Sequence, residues 1–186
     1  MASRILGSVL ELIGNTPLVE LRRIPHAGTR IVVKIEAQNP SGSVKDRPAL
    51  AMVEAAEASG ELGEGSVVVE ATSGNTGIAL AMICAVRGYR CVLVMPEDMS
   101  VERRRILRAY GAELVITAAE DGMAGAVAEA QAIVARTEHA FMPRQFDNPA
   151  NPDVHARMTV ACEVATRVKG PVVTFLCDDG ERYLLG

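Results

Sequence analysis

Short runs rich in valine and isoleucine alternate with longer segments of helical periodicity along most of this chain. Strands are predicted at residues 30–37, 66–71, 90–96 and 112–117, with a further short strand within residues 139–146. Helices are predicted between them, at residues 45–60, 78–88, 101–111 and 122–137. Strands and helices that alternate at this spacing form right-handed βαβ units. The sequence therefore predicts an α/β protein with a mostly parallel sheet covered by helices.

Residue types at the ends of the predicted helices support these bounds. Gly60 and Gly88 follow two of them, and glycine commonly ends a helix. Ser100 fits the N-cap position of the third. Ligands of such sheets bind at the carboxyl ends of the strands, where loops lead into helices. The loop before Lys45 and the loop after residue 71 are both expected there.

The composition agrees with this fold class and excludes several functions. Apolar residues make up 49% of the chain and aromatic residues only 3%, as in sheets whose strands are covered on both faces. The formal net charge is −4 and no basic stripe is present, which argues against a nucleic-acid partner. The sequence shows no secretory signal and no apolar run long enough to cross a bilayer. We therefore expect a soluble cytoplasmic protein without a membrane partner.

The cysteines and histidines do not form a metal-binding pattern. Cys84, Cys91, Cys162 and Cys177 lie far apart, form no CxxC pair and have no histidine at metal-ligand spacing. We expect buried, reduced cysteines and no metal site. The three histidines are scattered and are expected on the surface or in loops.

The hexapeptide TSGNTG, residues 72–77, follows a predicted strand and leads into a predicted helix. Gly74 relaxes the backbone, and Ser73, Asn75 and Thr76 offer hydroxyl and amide groups beside the free N–H groups of a helix terminus. Such a loop suits a carboxylate or a phosphate, although a polar helix cap would have a similar composition. The Walker and Rossmann glycine patterns are both missing, which argues against a nucleotide.

Lys45 lies at the predicted start of a helix, after the loop NPSGSV. The partial positive charge of a helix N-terminus disfavours an ammonium group by roughly 0.3–1 kcal/mol at an exposed site. This position therefore favours the neutral, nucleophilic form of the amine. Taken alone, the same residue is also compatible with an ordinary solvated lysine.

Five segments, in order along the chain, closely resemble the cysteine synthases (O-acetylserine sulfhydrylases) among the fold-type-II pyridoxal-phosphate enzymes. They are ELIGNTPLVEL, NPSGSVKDR, EATSGNTGIALA, MSVERRRILRAYGAEL and QFDNPANP. The segments SVKDRPALAM, RAYGAEL and CDDGERYL resemble the B-type enzymes more than the A-type. The resemblance covers residues 8–155, with a second short match at 172–185.

The resemblance implies roles for individual residues. Lys45 would attach pyridoxal 5'-phosphate through a Schiff base and, once the substrate amine displaces it, act as the base that removes the α-proton. Asn75 would hydrogen-bond the phenolic oxygen of the cofactor. The substrate carboxylate would be bound by Thr72, Ser73, Thr76 and the backbone around Gly74, with help from Gln145.

The resemblance also implies a fold and a reaction. The fold would be that of the tryptophan synthase β-like, fold-type-II enzymes, a three-layer α/β architecture. The reaction would replace the acetate of O-acetylserine by a sulfur donor to give cysteine, in a homodimer acting on small molecules. Two alternatives are a related serine or threonine dehydratase and a shortened, non-catalytic paralogue that acts as a binding or interaction protein.

The chain departs from the family pattern after residue 152. The Gly/Thr-rich loop that grips the cofactor phosphate and the later SSG segment are both missing from the sequence. The resemblance thus implies that a large middle portion of the family's chain is missing and that the larger domain is incomplete. Residues 1–40 would belong to that larger domain, 41–150 would form the small α/β domain, and 151–186 would be a shortened remnant of the larger domain.

Overall fold

The computed structural model describes residues 5–20, 31–155 and 172–176. The helices are α1 Asp46–Ser59, α2 Asn75–Arg87, α3 Val101–Ala109 and α4 Gly122–Arg136, and residues 150–155 are also helical. The strands are β1 Leu18–Glu20, β2 Ile31–Ile35, β3 Val67–Ala71, β4 Arg90–Pro96, β5 Glu113–Thr117, β6 Ala140–Phe141 and β7 Val172–Leu176. Single turns of 3₁₀-helix lie at Val9–Leu12, Glu36–Gln38 and Ala119–Asp121.

Four strands form a parallel sheet in the order β5-β4-β3-β6. Val69 pairs with Val92, and every residue of β3 is buried. Successive residues of a strand point to opposite faces, so each face of β3 and β4 carries its own apolar cluster. One cluster includes residues of α1, α2 and α3, and the other includes residues of α4. This is the predicted arrangement of a parallel sheet between two layers of helices.

A second sheet has three strands in the order β1-β2-β7. β2 pairs antiparallel with β1 and parallel with β7, so that Ile31 lies opposite Val172. Chain segments at the two ends of the sequence therefore meet in one sheet. The predicted division at residues 40 and 150 is compatible with this pairing and stays a prediction.

The ends of the helices follow the sequence signals. Gly60 closes α1 with φ 77° and Gly88 closes α2 with φ 80°, both in the left-handed region that favours glycine. The hydroxyl of Ser100 caps α3 by accepting a hydrogen bond from the Arg103 backbone N–H at 3.3 Å. These features confirm the three predicted helix boundaries.

The predictions about cysteines, metals and membranes have different outcomes. Cys84 and Cys91 are buried and free, as expected, whereas Cys162 and Cys177 lie outside the described residues. No group of side chains suited to a metal ion is found in the described part of the chain. Within the same residues, no helix is both long and apolar enough to cross a membrane.

Candidate active site

A cleft of about 630 Å³ lies at the carboxyl end of β3. Three segments line it: residues 43–45 before α1, residues 70–76 from the end of β3 to the start of α2, and residues 142 and 144–147 after β6. α4 contributes Met123, Val127 and Gln131 to the remaining wall. The position matches the general rule for open α/β sheets, in which ligands bind beyond the carboxyl ends of the strands.

The loop TSGNTG connects β3 to α2 at the centre of this cleft. The Thr72 backbone N–H donates to the Val94 carbonyl at 3.0 Å, and the Gly74 N–H donates to the Thr72 hydroxyl at 3.3 Å. Gly74 is the N-cap of α2, and no described side chain caps that terminus. The first N–H groups of the helix therefore face the cleft without a side-chain cap, which suits an anion.

Gly74 has φ −112°, an extended conformation that any residue can adopt. The relaxed backbone expected there is thus not the reason for this glycine. A methyl group added at Gly74 would meet no atom within 4 Å, so it would project into open space beside the cleft. Neither the backbone conformation nor crowding therefore requires glycine at this position.

Lys45 is half-buried and lines the same cleft. It was predicted in the first turn of the helix but is the N-cap residue of α1, one position before the helix begins. Its backbone N–H donates to the Ser43 hydroxyl at 3.2 Å. The next residue, Asp46, is fully buried and accepts hydrogen bonds from the Ser41 backbone N–H, at 2.7 Å, and from the Ser41 hydroxyl. Asp46 therefore fixes the loop that carries the lysine.

A buried network around Glu36 ties the N-terminal segment to the lysine loop. The Glu36 carboxylate is 0% exposed and accepts hydrogen bonds from Thr16 at 2.6 Å, from Asn39 at 2.8 Å, and from Arg47 at 2.7 and 2.8 Å. Burial alone would raise the pKa of Glu36, but the bonds from Arg47, Thr16 and Asn39 outweigh it and hold this pKa below its usual value. The motifs GNTP and NPSGSVKDR thus meet at one carboxylate.

Gln145 joins the loop after β3 from a position 69 residues further along the chain. The Thr76 hydroxyl donates to its side-chain oxygen at 2.7 Å, and the Asn151 side chain donates to its carbonyl at 2.6 Å. The structure therefore brings all the predicted site residues to one cleft: Lys45, Thr72, Ser73, Gly74, Asn75, Thr76 and Gln145. Their individual roles stay predictions.

Three further residues at this site were not predicted from the sequence. Glu70 lines the cleft and is 3% exposed, and its burial raises its pKa to about 6. The Arg103 guanidinium donates to the Ser73 carbonyl at 2.8 Å and so fixes the loop from α3.

His155, expected on the surface or in a loop, lies half-buried in a helix. Burial, together with the positive charge of Lys45, lowers the pKa of His155.

Comparisons with known proteins agree with this geometry. The model of the family described as "Pyridoxal-phosphate dependent enzyme" matches residues 9–178. The chain belongs to this family. A cysteine synthase of Flavobacterium sp. is 52% identical over 152 residues, which cover 82% of this chain and 50% of the relative. A cysteine synthase of Staphylococcus aureus is 47% identical over 175 residues, covering 93% of this chain and 56% of the relative.

Solved structures of this family superpose on most of the chain. O-ureido-L-serine synthase matches with a TM-score of 0.83 and 46% identity, over 90% of this chain and 52% of its own. The cysteine synthase of Entamoeba histolytica matches with a TM-score of 0.81 and 43% identity, over 91% and 52%. The fold-type-II α/β class is thereby confirmed. The chain spans about half the length of the curated relatives that it matches.

The residues of the cleft suit the ring of pyridoxal phosphate, the family's cofactor, but the sequence lacks the family's loop for its phosphate. Lys45, at the start of α1, and the amide side chain of Asn75 line the same cavity. The N-terminus of α2, which has no side-chain cap, lies beside them. These are the groups that would attach the cofactor, contact its ring and bind a carboxylate. The Gly/Thr-rich loop that the family uses for the phosphate does not occur in the sequence after residue 152.

Proposed function

We propose that this cleft performs the reaction of a cysteine synthase, in which a sulfur donor replaces the acetate of O-acetylserine. The observation that supports this most is the convergence of Lys45, the TSGNTG loop and Gln145 on one cavity from three separate parts of the chain. The similarity to cysteine synthases over most of the chain supports the same reaction.

Lys45 would hold pyridoxal phosphate covalently, and Asn75 would hydrogen-bond the phenolic oxygen of its ring. When bound, the cofactor supplies the electron sink that makes the substrate α-proton acidic. Lys45 Nζ, released by the substrate amine, would then take that proton as a general base. Its place on a loop fixed by Ser41 and Asp46 would keep the amine within reach of the α-carbon.

The substrate carboxylate would bind at the N-terminus of α2. The hydroxyl groups of Thr72 and Ser73 and the backbone N–H groups after Gly74 would donate to it. Thr76, whose hydroxyl donates to Gln145, would bound this carboxylate site together with that residue. The C–O bond to acetate breaks, and acetate leaves with the electron pair. A C–S bond to the sulfur donor then forms at the same carbon, and the proton returns to the α-carbon.

The proposal extends to the setting of the enzyme. We expect a cytoplasmic homodimer that acts on small molecules, O-acetylserine and a sulfur donor, without nucleic-acid or membrane partners. The net charge of −4 and the similarity to cysteine synthases support this setting. The half-length match favours one rival, a binding protein that retains the anion-binding loop but no catalysis.

Cofactor binding and turnover separate these two functions. Purified protein mixed with pyridoxal phosphate should develop the visible absorbance band of a lysine-bound cofactor, and Lys45→Ala should abolish it. Lys34→Ala is the matched control, because Lys34 Nζ donates to the Thr16 carbonyl outside the cleft. Addition of O-acetylserine and sulfide should then yield cysteine. A wild-type chain with neither band nor cysteine would support the binding protein instead.

A further inference from the structure

We propose that the two asparagines of the segment QFDNPANP, Asn148 and Asn151, are positioning residues for Gln145. Their side chains hold the backbone on both sides of Arg144, and this sets the Gln145 side chain against Thr76. The inference deepens the proposed function, on which it rests for the role of Gln145 in substrate binding. The hydrogen bonds of the loop do not depend on that function.

The carbonyl groups of three successive residues after β6 all accept hydrogen bonds from the segment that follows them. The Asn148 side-chain amide donates to the Pro143 carbonyl at 2.9 Å. The Arg144 carbonyl accepts from two backbone N–H groups, at 2.9 and 3.0 Å. The Asn151 side-chain amide donates to the Gln145 carbonyl at 2.6 Å. The backbone is therefore held before, at and after Arg144.

These bonds maintain a conformation that the loop would not keep alone. Arg144 has φ 50°, in the left-handed region that residues other than glycine rarely adopt. Such a residue keeps this conformation only where the surrounding structure fixes it. Phe146 is 90% exposed, so packing of the residue next to Gln145 does not anchor the loop here. Hydrogen bonds, rather than this aromatic ring, therefore hold Gln145.

Held in this way, Gln145 contacts the loop after β3. Its side-chain oxygen accepts a hydrogen bond from the Thr76 hydroxyl at 2.7 Å, although the two residues are 69 positions apart in the chain. Both residues line the cleft. A hydrogen bond of this length tolerates only a small displacement of either partner. The contact with Thr76 therefore depends on a fixed backbone at Gln145.

Helix capping explains only part of this arrangement. Asn148 Oδ1 accepts from the Ala150 backbone N–H at 3.0 Å, as an asparagine before a helix does, but capping does not need its amide to bind Pro143. Asn151 lies within the helix of residues 150–155, and its Oδ1 is buried and accepts no hydrogen bond from any residue that the structure describes. A buried oxygen in this state costs stability. The role of Asn151 therefore lies in the amide that binds Gln145.

Nuclear magnetic resonance of the ¹⁵N-labelled full chain, without cofactor, tests this inference. Thr76→Val removes the hydroxyl and gives reference signals for a Gln145 side-chain amide without its contact. Asn151→Ala should move the Gln145 side-chain signals towards that reference, and hydrogen exchange at the Asn148 backbone amide should accelerate about fivefold. When Thr76→Val is already present, Asn151→Ala should move the Gln145 side-chain signals much less, because the contact is already lost.

Asn148→Asp separates positioning from helix capping. The carboxylate keeps an oxygen for the Ala150 N–H but loses the donor to the Pro143 carbonyl. The Gln145 side-chain signals should therefore move towards the Thr76→Val reference while the helix of residues 150–155 stays formed. This variant also decides the question if Asn151→Ala does not fold.

The matched control is Asp153→Ala, at an exposed position in the same helix, which should leave the Gln145 signals as in the wild type. Gln145 side-chain signals that stay at their wild-type positions in the asparagine variants would overturn the inference. Equal shifts in Asp153→Ala would overturn it as well. Because no cofactor is added, loss of the proposed catalysis would leave this result unchanged.

Discussion

At the scale of single residues, two buried glutamates show how partners decide the charge state. Glu36 accepts hydrogen bonds from three side chains, and its pKa falls below its usual value. Glu70 has a buried oxygen without a hydrogen bond from the described residues, and its pKa rises to about 6. The first carboxylate holds the scaffold of the lysine loop together, whereas the second faces the cleft.

Glu70 should make the protein less stable at neutral pH. Its folded pKa of about 6 exceeds the ordinary 4.5, so the folded state binds the proton more tightly than the unfolded state. Its stabilising effect is therefore complete below pH 4.5 and is lost as the pH rises to about 6, by about 2 kcal/mol in total. Urea unfolding of Glu70→Gln should lack this loss. A stability difference from the wild type that is constant with pH would contradict it.

Glu36→Gln should destabilise the fold strongly. The substitution leaves the Arg47 guanidinium, which is 15% exposed, without its charged partner, and we expect a loss of about 3 kcal/mol in the free energy of unfolding. Because the pKa of Glu36 is lowered, its contribution is present above pH 4.5 and is lost as the pH falls through the lower, folded pKa. Chemical denaturation at pH 7 and at pH 3 measures both effects.

The control for Glu36→Gln is Glu113→Gln, which removes an ion pair to Arg90 whose side chains are 56% and 61% exposed. Exposed pairs contribute little, so this variant should change stability by about 1 kcal/mol or less. Equal effects of the two substitutions would contradict the view that the Glu36 network is a buried scaffold.

At the scale of elements, the sequence predicted the long helices and strands but missed the short strand β1 and the 3₁₀ turns. The long apolar runs at β3 and β4 are buried on both faces, so their composition alone indicates strands. β1 has only three residues, which is too short for an alternating pattern to be detected. The 3₁₀ turns are likewise too short for a periodicity to show.

Only part of the candidate site could be predicted, because only some of its residues lie in a recognisable local sequence context. Lys45 and the TSGNTG loop lie at a helix start and a strand-to-helix turn, and these local sequence contexts were enough to predict a site there. Glu70 lies within an apolar strand, and Arg103 within a basic helix, so neither pattern signals a site. Their places at the site depend on tertiary packing that a single sequence does not display.

The two glycines of the TSGNTG segment should differ in how much alanine destabilises the fold. A methyl group at Gly77 would lie 2.8 Å from Thr72 Cγ2 and 3.5 Å from Leu93 Cδ1, so Gly77→Ala should displace Thr72 and cost about 1–3 kcal/mol. Gly74→Ala meets no atom within 4 Å and should cost under about 1 kcal/mol, while weakening carboxylate binding. Thermal unfolding and substrate titration distinguish them. Equal destabilisation would contradict this account.

At the scale of the whole molecule, the described residues form a four-stranded sheet, with the cleft at the carboxyl end of β3, and a three-stranded sheet. The lysine loop, the TSGNTG loop and Gln145 line this cleft together, and they are the parts that the proposed reaction needs on the substrate side. β7 pairs with β2 in the part of the chain that the structure describes. The family's phosphate-binding loop has no counterpart in the sequence.

The most direct test of this account locates the attached cofactor on the chain. Protein mixed with pyridoxal phosphate is reduced with borohydride and digested, and the modified peptides are identified by mass spectrometry. We predict a single major adduct on the peptide that contains Lys45, with Lys34 unmodified in the same sample. An adduct spread over several lysines, or none at Lys45, would contradict the claim that this cleft holds the cofactor.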